Sequence, residues 1–289
     1  MKYVFIVNPV AGNRDSSDLI KRINEYCLTN GIEYEIEITK DKKDATLIAK
    51  KYKHDNVVLF ACGGDGTLSE VLNGMINSKN RLSLIPCGSG NDFYRTISKC
   101  DEKEFDVDLG IVNDTYFINV ACIGIDAEIG NNAELMKKRG IAPNKIYNAS
   151  IIYTFLNYRN KKLEIETENS INANVFTMLT VCNACYYGGG YNIAPYADLS
   201  DGFFDLYVIR SIPKLYIPYL IAKLKKGKHE EDRNVEKMMV KRLVLRSKKT
   251  LVCNVDGEII RDTKFKFKVV KHGVKFYQDK ELVKYVLGE

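Results

Sequence analysis

The chain has 289 residues and a formal net charge of +6, and it is 45% hydrophobic and 28% charged. This composition is ordinary for a globular protein and excludes a largely disordered chain, while the length suits two modest domains or one large one. The mild net charge does not by itself indicate a nucleic-acid-binding protein.

The first third of the chain alternates short apolar runs with helical stretches. The predicted strands lie at residues 3–7, 33–38, 57–61 and 82–85. The predicted helices lie at residues 15–30, 42–52 and 68–76. Repeated strand–helix–strand units indicate a parallel sheet with helices on both faces. In such sheets, ligands bind at the carboxyl ends of the strands.

After about residue 106 the pattern becomes strand-rich, with turns at Gly, Asn and Asp. The predicted strands lie at residues 116–123, 175–182, 204–209, 242–246, 250–254 and 265–270. Helical stretches at 149–158 and 213–226 interrupt them. We therefore predict a β-rich second domain that begins between residues 105 and 125.

Three loops in the first domain each follow a predicted strand and are rich in small residues. The first is Asn8-Pro9-Val10-Ala11-Gly12. Small residues let backbone N–H groups approach an anion, and the helix that follows adds the positive end of its dipole. A strand-to-helix turn needs glycine and proline in any case, so this loop is a weak signal on its own.

The second loop, Cys62-Gly63-Gly64-Asp65-Gly66-Thr67, is the strongest signal in the chain. Its three glycines remove the Cβ atoms that would keep a polyphosphate away from the backbone. Thr67 and Glu70 have the spacing of a capping box, which predicts a helix that starts here. Asp65 suits a residue that holds Mg²⁺ or orients an accepting hydroxyl beside the phosphates. The alternative is a tight turn that carries an aspartate.

The third loop, Pro86-Cys87-Gly88-Ser89-Gly90-Asn91-Asp92, repeats this pattern of small residues and a hydroxyl. On its own, it fits a loop with a helix N-cap. Beside the first two loops, at the same edge of one sheet, it predicts the third wall of a nucleotide cleft.

A fourth motif, Val255-Asp256-Gly257-Glu258, lies in the second domain. Asp-Gly between apolar runs predicts a β-hairpin, and this is the first interpretation of the motif. Its two carboxylates gain a catalytic interpretation only beside the other loops.

Several common enzyme classes are excluded. The sequence has no G-x-x-x-x-G-K-[ST] motif, no G-x-G-x-x-G after the first strand and no G-x-S-x-G elbow. The chain has three His, none of them near a candidate nucleophile in sequence, which disfavours Ser/His/Asp hydrolysis. Cys182 and Cys185 form a lone C-x-x-C in an apolar segment, which favours buried thiols over a zinc or redox site.

The chain starts without the apolar run of a signal peptide, and no segment has the length and hydropathy of a membrane span. The stretches 213–228 and 237–249 carry five lysines and six basic residues, respectively, and no acid. They indicate an anionic partner, such as acidic phospholipid headgroups or nucleic acid, or else solvated faces. We expect a cytoplasmic protein with transient peripheral membrane association. Helix 213–228 either rests on that membrane or is a core helix with a solvated lysine face.

The order of the motifs resembles one family, the bacterial diacylglycerol/lipid kinases with the eukaryotic-type catalytic domain. The motifs that carry the resemblance are Asn-Pro-x-Ala-Gly at 8–12, Gly-Gly-Asp-Gly-Thr at 63–67, Pro-x-Gly-Ser-x-Asn-Asp at 86–92, Gly188-Gly189-Gly190 with Pro195 and Asp201-Gly202, and Asp-Gly-Glu at 256–258. Residues 117–124 resemble the family's strand that enters the second domain, so the resemblance spans essentially the whole chain. Cys87 stands where the family has a larger apolar residue, which affects packing more than chemistry.

The resemblance implies an α/β doubly wound parallel sheet over residues 1–124, to which 275–289 return, and a β-sandwich-like domain over 125–274. The implied ATP-binding residues are Asn8, Pro9, Val10, Ala11, Gly12, Thr39, Gly63, Gly64, Asp65, Gly66, Thr67, Leu68, Ser69 and Ser89. The implied catalytic residues are Asp65, through Mg²⁺ or beside the transferred phosphoryl group, and Asp256 or Glu258 as general base. The residues implied to hold a structural Mg²⁺ are Asp201 and, through main-chain oxygens, Asp198 and Phe203.

We therefore expect a Mg²⁺-dependent transfer of the γ-phosphoryl group of ATP to a lipid hydroxyl, with diacylglycerol as the first choice. Monoacylglycerol, phosphatidylglycerol and sphingoid bases stay open as substrates. The rival functions are an NAD kinase-like enzyme and a non-catalytic, nucleotide-regulated lipid-binding protein. The loops at Asp201 and Asp256 argue against the NAD kinase. The binding protein is disfavoured because it would need none of the four carboxylates at Asp65, Asp201, Asp256 and Glu258. No nucleic-acid partner is expected, because the basic stretches lack an aromatic platform, and a homodimer is the default oligomer.

Overall fold

The computed structural model describes residues 1–12 and 15–288, and its contacts divide the chain into two compact units. The first unit comprises Met1–Leu109, Gly188–Gly190 and Lys271–Glu289. The second unit comprises Gly110–Tyr187 and Tyr191–Val270. The domain limits expected above stay a proposal, because a grouping by contacts does not test which segments fold independently.

The chain forms strands and helices in alternation at first and mainly strands later. The strands are β1 Tyr3–Val7, β2 Tyr34–Ile38, β3 Val58–Gly63, β4 Arg81–Pro86, β5 Glu104–Val112, β6 Thr115–Phe117, β7 Val120–Gly124, β8 Lys161–Thr167, β9 Ile171–Cys182, β10 Tyr186–Tyr187, β11 Tyr191–Asn192, β12 Phe204–Arg210, β13 Val235–Val240, β14 Arg242–Val255 and β15 Glu258–Tyr277. The helices are α1 Ser16–Thr29, α2 Asp44–Lys51, α3 Asp65–Met75, α4 Asp92–Ile97, α5 Ile125–Lys138, α6 Pro143–Asn157, α7 Ile217–Lys225 and α8 Lys280–Leu287, with 3₁₀ turns at Lys214–Tyr216 and His229–Glu231.

The first unit is built on a parallel sheet with the strand order β15, β4, β3, β1, β2. Every residue of β1 is buried, which requires cover on both faces of the sheet. Tyr3, Phe5 and Val7 alternate toward one face, where they pack with apolar residues of α1 and α8. The carboxyl ends of β1, β3 and β4 lead into the three glycine-rich loops.

The second unit is β-rich. Its strand order is β13, β12, β9, β7, β14, β15, and β8 pairs with both β14 and β9. Along β9, Leu179 and Val181 enter one apolar cluster, while Met178 and Cys182 enter another on the opposite face. A strand buried on both sides is the signature of a layered domain. The α/β plus β-rich fold class predicted from the sequence is confirmed.

Three local predictions were wrong. The strand predicted at 116–123 is interrupted at residues 118 and 119, whose N–H groups bond the Asp256 carboxylate, and so it forms the two strands β6 and β7. Helix α3 begins at Asp65 with Gly64 as its N-cap, so Thr67 lies inside the helix and does not cap it. The glycines allow the chain to turn into the helix directly after β3, without a side-chain cap. The segments 242–246 and 250–254 form one strand, β14, in which a register shift between Arg246 and Leu251 accommodates the polar stretch.

No helix within the described residues is both long and apolar enough to cross a membrane. Neither Cys182 nor Cys185 forms a disulfide, and both are buried.

Candidate active site

The three glycine-rich loops of the first unit lie against one another. Asn8 Nδ2 donates to Thr67 Oγ1 at 3.0 Å, and the Asn8 N–H donates to the Cys62 carbonyl at 3.0 Å. These bonds join the first and second loops. The Cys87 N–H donates to the Gly63 carbonyl at 2.9 Å, which joins the second and third.

Glycine is required where these loops approach one another. Gly12 has a φ of +65°, and a Cβ on it would stand 2.1 Å from the Cys87 carbonyl oxygen. A Cβ on Gly88 would stand 2.4 Å from the Gly64 Cα. Both distances lie far inside van der Waals contact, so a side chain at either position would push the loops apart. A Cβ on Gly66 would meet nothing within 4 Å, so the first turn of α3 borders open space.

Helix α3 begins beside these loops. Gly64 has no side chain with which to bond the N–H groups of the first helical turn. Such N–H groups, together with the helix dipole, form a position suited to an anion such as a phosphate. Thr67 in this turn is buried, and its hydroxyl is held by Asn8.

Asp65 binds the N-terminus of the neighbouring helix α4. Its Oδ2 accepts the Asp92 N–H and its Oδ1 accepts the Phe93 N–H, both at 3.0 Å. Asn91, the N-cap of α4, has a left-handed conformation and makes no capping bond of its own. Asp65 therefore caps α4 from another loop and ties the third loop to the second.

Asp92 in turn holds the triglycine loop between β10 and β11. Its Oδ2 accepts the Gly189 N–H at 2.8 Å, and its Oδ1 accepts the Gly190 N–H at 2.7 Å. Arg95 lies 3.9 Å from the same carboxylate. Asp92 is buried, so its position is fixed by the helix on one side and the glycine N–H groups on the other.

Asp65 and Asp92 form a carboxylate pair around Gly90. A Cβ on Gly90 would stand 3.2 Å from Asp65 Oδ2 and 3.7 Å from Asp92 Oδ2. Burial raises the pKa of the Asp92 carboxyl, and repulsion from Asp65 adds to this rise, while hydrogen bonds from the two glycines and the charge of Arg95 oppose it. Nucleotide sites hold Mg²⁺ through one or two carboxylates together with phosphate oxygens. Each carboxylate oxygen of this pair already accepts one backbone N–H, so a metal here would have to use the second lone pair of those oxygens.

The other residues implied to bind the nucleotide lie on the same loops or next to them. Thr39 follows β2, is buried, and donates its N–H to the Val7 carbonyl at 2.9 Å. Leu68 is buried in α3, and Ser69 beside it is partly exposed. The exposed members of the set are Pro9, Val10, Gly12, Gly66 and Ser89.

Asp256 and Gly257 form the turn of the hairpin between β14 and β15, as predicted. Their φ angles of +46° and +91° are those of a type I′ turn. The Asp256 carboxylate accepts the backbone N–H groups of residues 118–120 at 2.8 to 3.3 Å. It therefore fixes the hairpin against the start of β7. Glu258, just beyond the turn, is exposed.

Asp198 and Asp201 lie in the loop before β12. Asp198 Oδ1 accepts the N–H and the hydroxyl of Ser200 at 2.8 and 2.9 Å, and Asp201 Oδ1 accepts the Phe203 N–H at 2.8 Å. Within residues 1–12 and 15–288, no three His, Cys, Asp or Glu side chains are grouped closely enough to hold a metal. A cation in this loop would therefore need main-chain oxygens as its remaining ligands.

Sequence reasoning missed two acidic residues. Asp92 belongs to the third motif, but nothing in the motif shows that it binds a distant triglycine loop. Asp126 lies in the first turn of α5, and its Oδ1 is buried without a hydrogen-bond partner, although the residue as a whole is partly exposed. Burial raises the pKa of its carboxyl to about 6, and hydrogen bonds from the Cys122 thiol and the Tyr187 hydroxyl oppose this rise.

Known proteins match both parts of the chain. Residues 2–116 match the diacylglycerol kinase catalytic domain, and residues 119–277 match the YegS C-terminal NAD kinase beta sandwich-like domain. A diacylglycerol kinase of Staphylococcus aureus (strain bovine RF122 / ET3-1) is 28% identical over 274 residues, which cover 88% of this chain and 84% of that protein. YtlR of Bacillus subtilis (strain 168) is 27% identical over 298 residues, covering 91% and 95%.

A crystal structure of a protein from Bacillus anthracis str. Sterne has the same fold. Its TM-score is 0.77 at 23% identity, and the match covers 97% of this chain and 98% of that one. The two domain matches follow each other along the chain in the order that the motifs indicated, and the second alone spans more than half of it. The resemblance drawn from the motifs is thereby confirmed. The chain belongs to the diacylglycerol kinase family, and it is a lipid kinase.

Proposed function

We propose that this kinase transfers the γ-phosphoryl group of ATP to a hydroxyl of diacylglycerol and so forms phosphatidic acid. The observation that carries the proposal is the packing of three glycine-rich loops beside the N-terminus of α3. Such a surface brings backbone N–H groups to phosphates, and the helix end favours their charge. The choice of substrate follows from the relatives that are named diacylglycerol kinases.

We place the nucleotide over these loops, on the residues that the family resemblance implies. The hydrogen bonds from Asn8 to Thr67 and from Cys87 to Gly63 hold the loops in one arrangement before the nucleotide arrives. Phosphoryl transfer depends mainly on alignment and charge neutralisation, so a preformed cradle lowers the ordering cost of the reaction.

The proposed magnesium position lies at the Asp65 and Asp92 carboxylates. When bound there with ATP, Mg²⁺ offsets the charge of the β- and γ-phosphate oxygens. The helix cap fixes the Asp65 carboxylate, and the triglycine loop fixes that of Asp92. We keep a second, structural Mg²⁺ at Asp198, Asp201 and Phe203 as a proposal, supported by the two carboxylates in one loop.

The proposed general base is Asp256 or Glu258. A general base must reach the proton of the lipid hydroxyl with a carboxylate oxygen. Both Asp256 oxygens already accept backbone N–H groups, which positions this carboxylate firmly. Glu258 is exposed beside it.

We further propose that the protein works in the cytoplasm as a homodimer and meets its lipid by transient contact with the membrane surface, without a nucleic-acid partner. The lipid substrate implied by the family supports the membrane contact. The proposal of a homodimer rests only on the general prevalence of twofold assemblies among proteins.

An acceptor panel tests the proposed function. Purified full-length protein, γ-labelled ATP and Mg²⁺ are incubated with diacylglycerol, monoacylglycerol, phosphatidylglycerol or a sphingoid base in mixed micelles, and with NAD in buffer. We expect the fastest labelling with diacylglycerol. Label in NAD would overturn the proposal in favour of an NAD kinase-like enzyme, and no label in any acceptor would favour a nucleotide-regulated binding protein.

A further inference from the structure

Helix α6 buries two hydroxyl side chains and exposes several large apolar ones. Its inward positions include Ser150 and Thr154, both fully or almost fully buried, and Thr154 Oγ1 accepts Asn132 Nδ2 of α5 at 2.8 Å. Its outward positions include Ile152, Tyr153 and Leu156, all exposed. A surface helix normally turns its apolar stripe inward. This helix therefore presents its apolar stripe to the outside.

The 3₁₀ turn Lys214–Tyr216 and helix α7 extend the apolar surface of α6. Lys214 Nζ donates to the Leu156 carbonyl at 2.6 Å, which brings the end of α6 next to the turn. Leu215 follows directly and is 89% exposed, while Leu156 is 66% exposed. Helix α7 adds further exposed apolar side chains on its outer side, although its inner side is already buried in the core. These outer side chains are Tyr219 and Ile221.

The two segments that carry this surface contain basic residues and no acidic ones. The segments 143–160 and 211–228 contain no Asp or Glu. Lys223 is 3.7 Å from Asp232, whereas Lys225, Lys226 and Lys228 are exposed. Exposed apolar side chains and exposed lysines on the same segments match the two properties of an anionic bilayer, a hydrocarbon interior and negative headgroups.

We propose that Ile152, Tyr153, Leu156, Leu215, Tyr219 and Ile221 form one docking surface that inserts into an anionic lipid bilayer. The apolar side chains enter the headgroup layer, and the surrounding lysines bind the lipid phosphates. The proposal rests on the proposed function, since it assigns the surface by which the lipid kinase meets its substrate. Insertion differs from electrostatic attraction in its response to salt, because the burial of leucine side chains in the bilayer is not screened by ions.

Vesicle binding without nucleotide tests this surface separately from catalysis. The test variant is Leu156→Ser with Leu215→Ser. The matched control is Leu28→Ser with Ile171→Ser, which removes two apolar side chains of similar exposure, 73% and 68%, from other parts of the surface. Co-sedimentation with phosphatidylglycerol/phosphatidylcholine vesicles is measured at low and high salt. A third variant, Lys225→Gln with Lys226→Gln, removes only charge.

We expect the leucine variant to lose about tenfold in vesicle affinity for each leucine at both salt concentrations, and the control to bind like the wild type. The lysine variant should weaken binding mainly at low salt. Unchanged vesicle binding by the leucine variant would overturn the proposal. So would a change from dimer to monomer in that variant without loss of vesicle binding, because the surface would then be a subunit interface. Failure of the acceptor panel with intact vesicle binding would overturn the proposed reaction alone.

Discussion

Replacing Asp65 separates two roles that one carboxylate combines. It caps α4 through two hydrogen bonds of 3.0 Å, and we propose that it also acts with Mg²⁺. Asp65→Ala removes both acceptors from a partly buried helix end. Loss of a helix cap costs about 0.5–2 kcal/mol, and an unsatisfied N–H adds up to about the same again. We therefore expect a loss of about 2 kcal/mol in the free energy of unfolding and a Tm lowered by roughly 4–8 °C.

Asp65→Asn keeps one carbonyl oxygen, which can accept one of the two N–H groups, but removes the charge. Its Tm should fall by about half as much as that of the alanine variant. Its kcat should fall by about 10- to 100-fold if the carboxylate acts through the metal. Calorimetry and the labelling assay are run on the same preparations, with Asp18→Asn as a control that removes an exposed carboxylate charge from the first turn of α1 and its ion pair with Arg22. Full kcat in Asp65→Asn at saturating Mg²⁺ would reduce Asp65 to a helix cap.

Three further predictions follow from the geometry. Gly12→Ala should raise the KM for ATP and lower Tm, because Gly12 has a φ of +65° and its added Cβ would meet the Cys87 carbonyl. Gly66→Ala has open space around it and should change Tm by no more than about a degree or two. Equal effects in both variants would contradict the packing of the loops. Asp256→Asn should lower Tm because three N–H groups lose a charged acceptor, while Glu258→Gln should leave Tm unchanged. The general base is the residue whose substitution abolishes the acidic limb of the pH–rate profile. Burial raises the pKa of the Asp126 carboxyl to about 6 in the folded protein. The protonated carboxyl therefore stabilises the fold fully at a pH below its ordinary pKa, and this stability, on the order of 2 kcal/mol in total, is lost as the pH rises through 6. Asp126→Asn should flatten this part of the stability–pH curve measured by urea unfolding, and an unchanged curve would refute the assignment.

Local patterns predicted the framework of the first unit well. The runs at 3–7 and 57–61 are β-branched or apolar and lie between strong turn signals, so their strands were placed within a residue or two of β1 and β3. Asp-Gly at 256–257 predicted its hairpin correctly, because few residues tolerate the positive φ that the turn needs. Charged or mixed segments such as α5 and β8 were not predicted, because their structure depends on neighbours far away in the chain.

The site was predictable as a set of loops but not as a set of bonds. The high glycine content of the loops predicted that their backbone approaches an anion closely. Nothing in the sequence showed that Asp65 caps a helix 27 residues further on or that Asp92 holds a loop 97 residues away. The polarity of α6 was likewise hidden, because an apolar stripe in sequence does not reveal whether it faces inward.

The fate of the γ-phosphate of ATP distinguishes a lipid kinase from an ATPase or a nucleotide-binding protein. The purified protein is incubated with Mg²⁺, γ-labelled ATP and anionic vesicles that contain diacylglycerol, and ADP, phosphatidic acid and inorganic phosphate are quantified together. We expect labelled phosphatidic acid in equal amount to ADP. ADP accompanied only by inorganic phosphate, or no turnover of ATP at all, would contradict it.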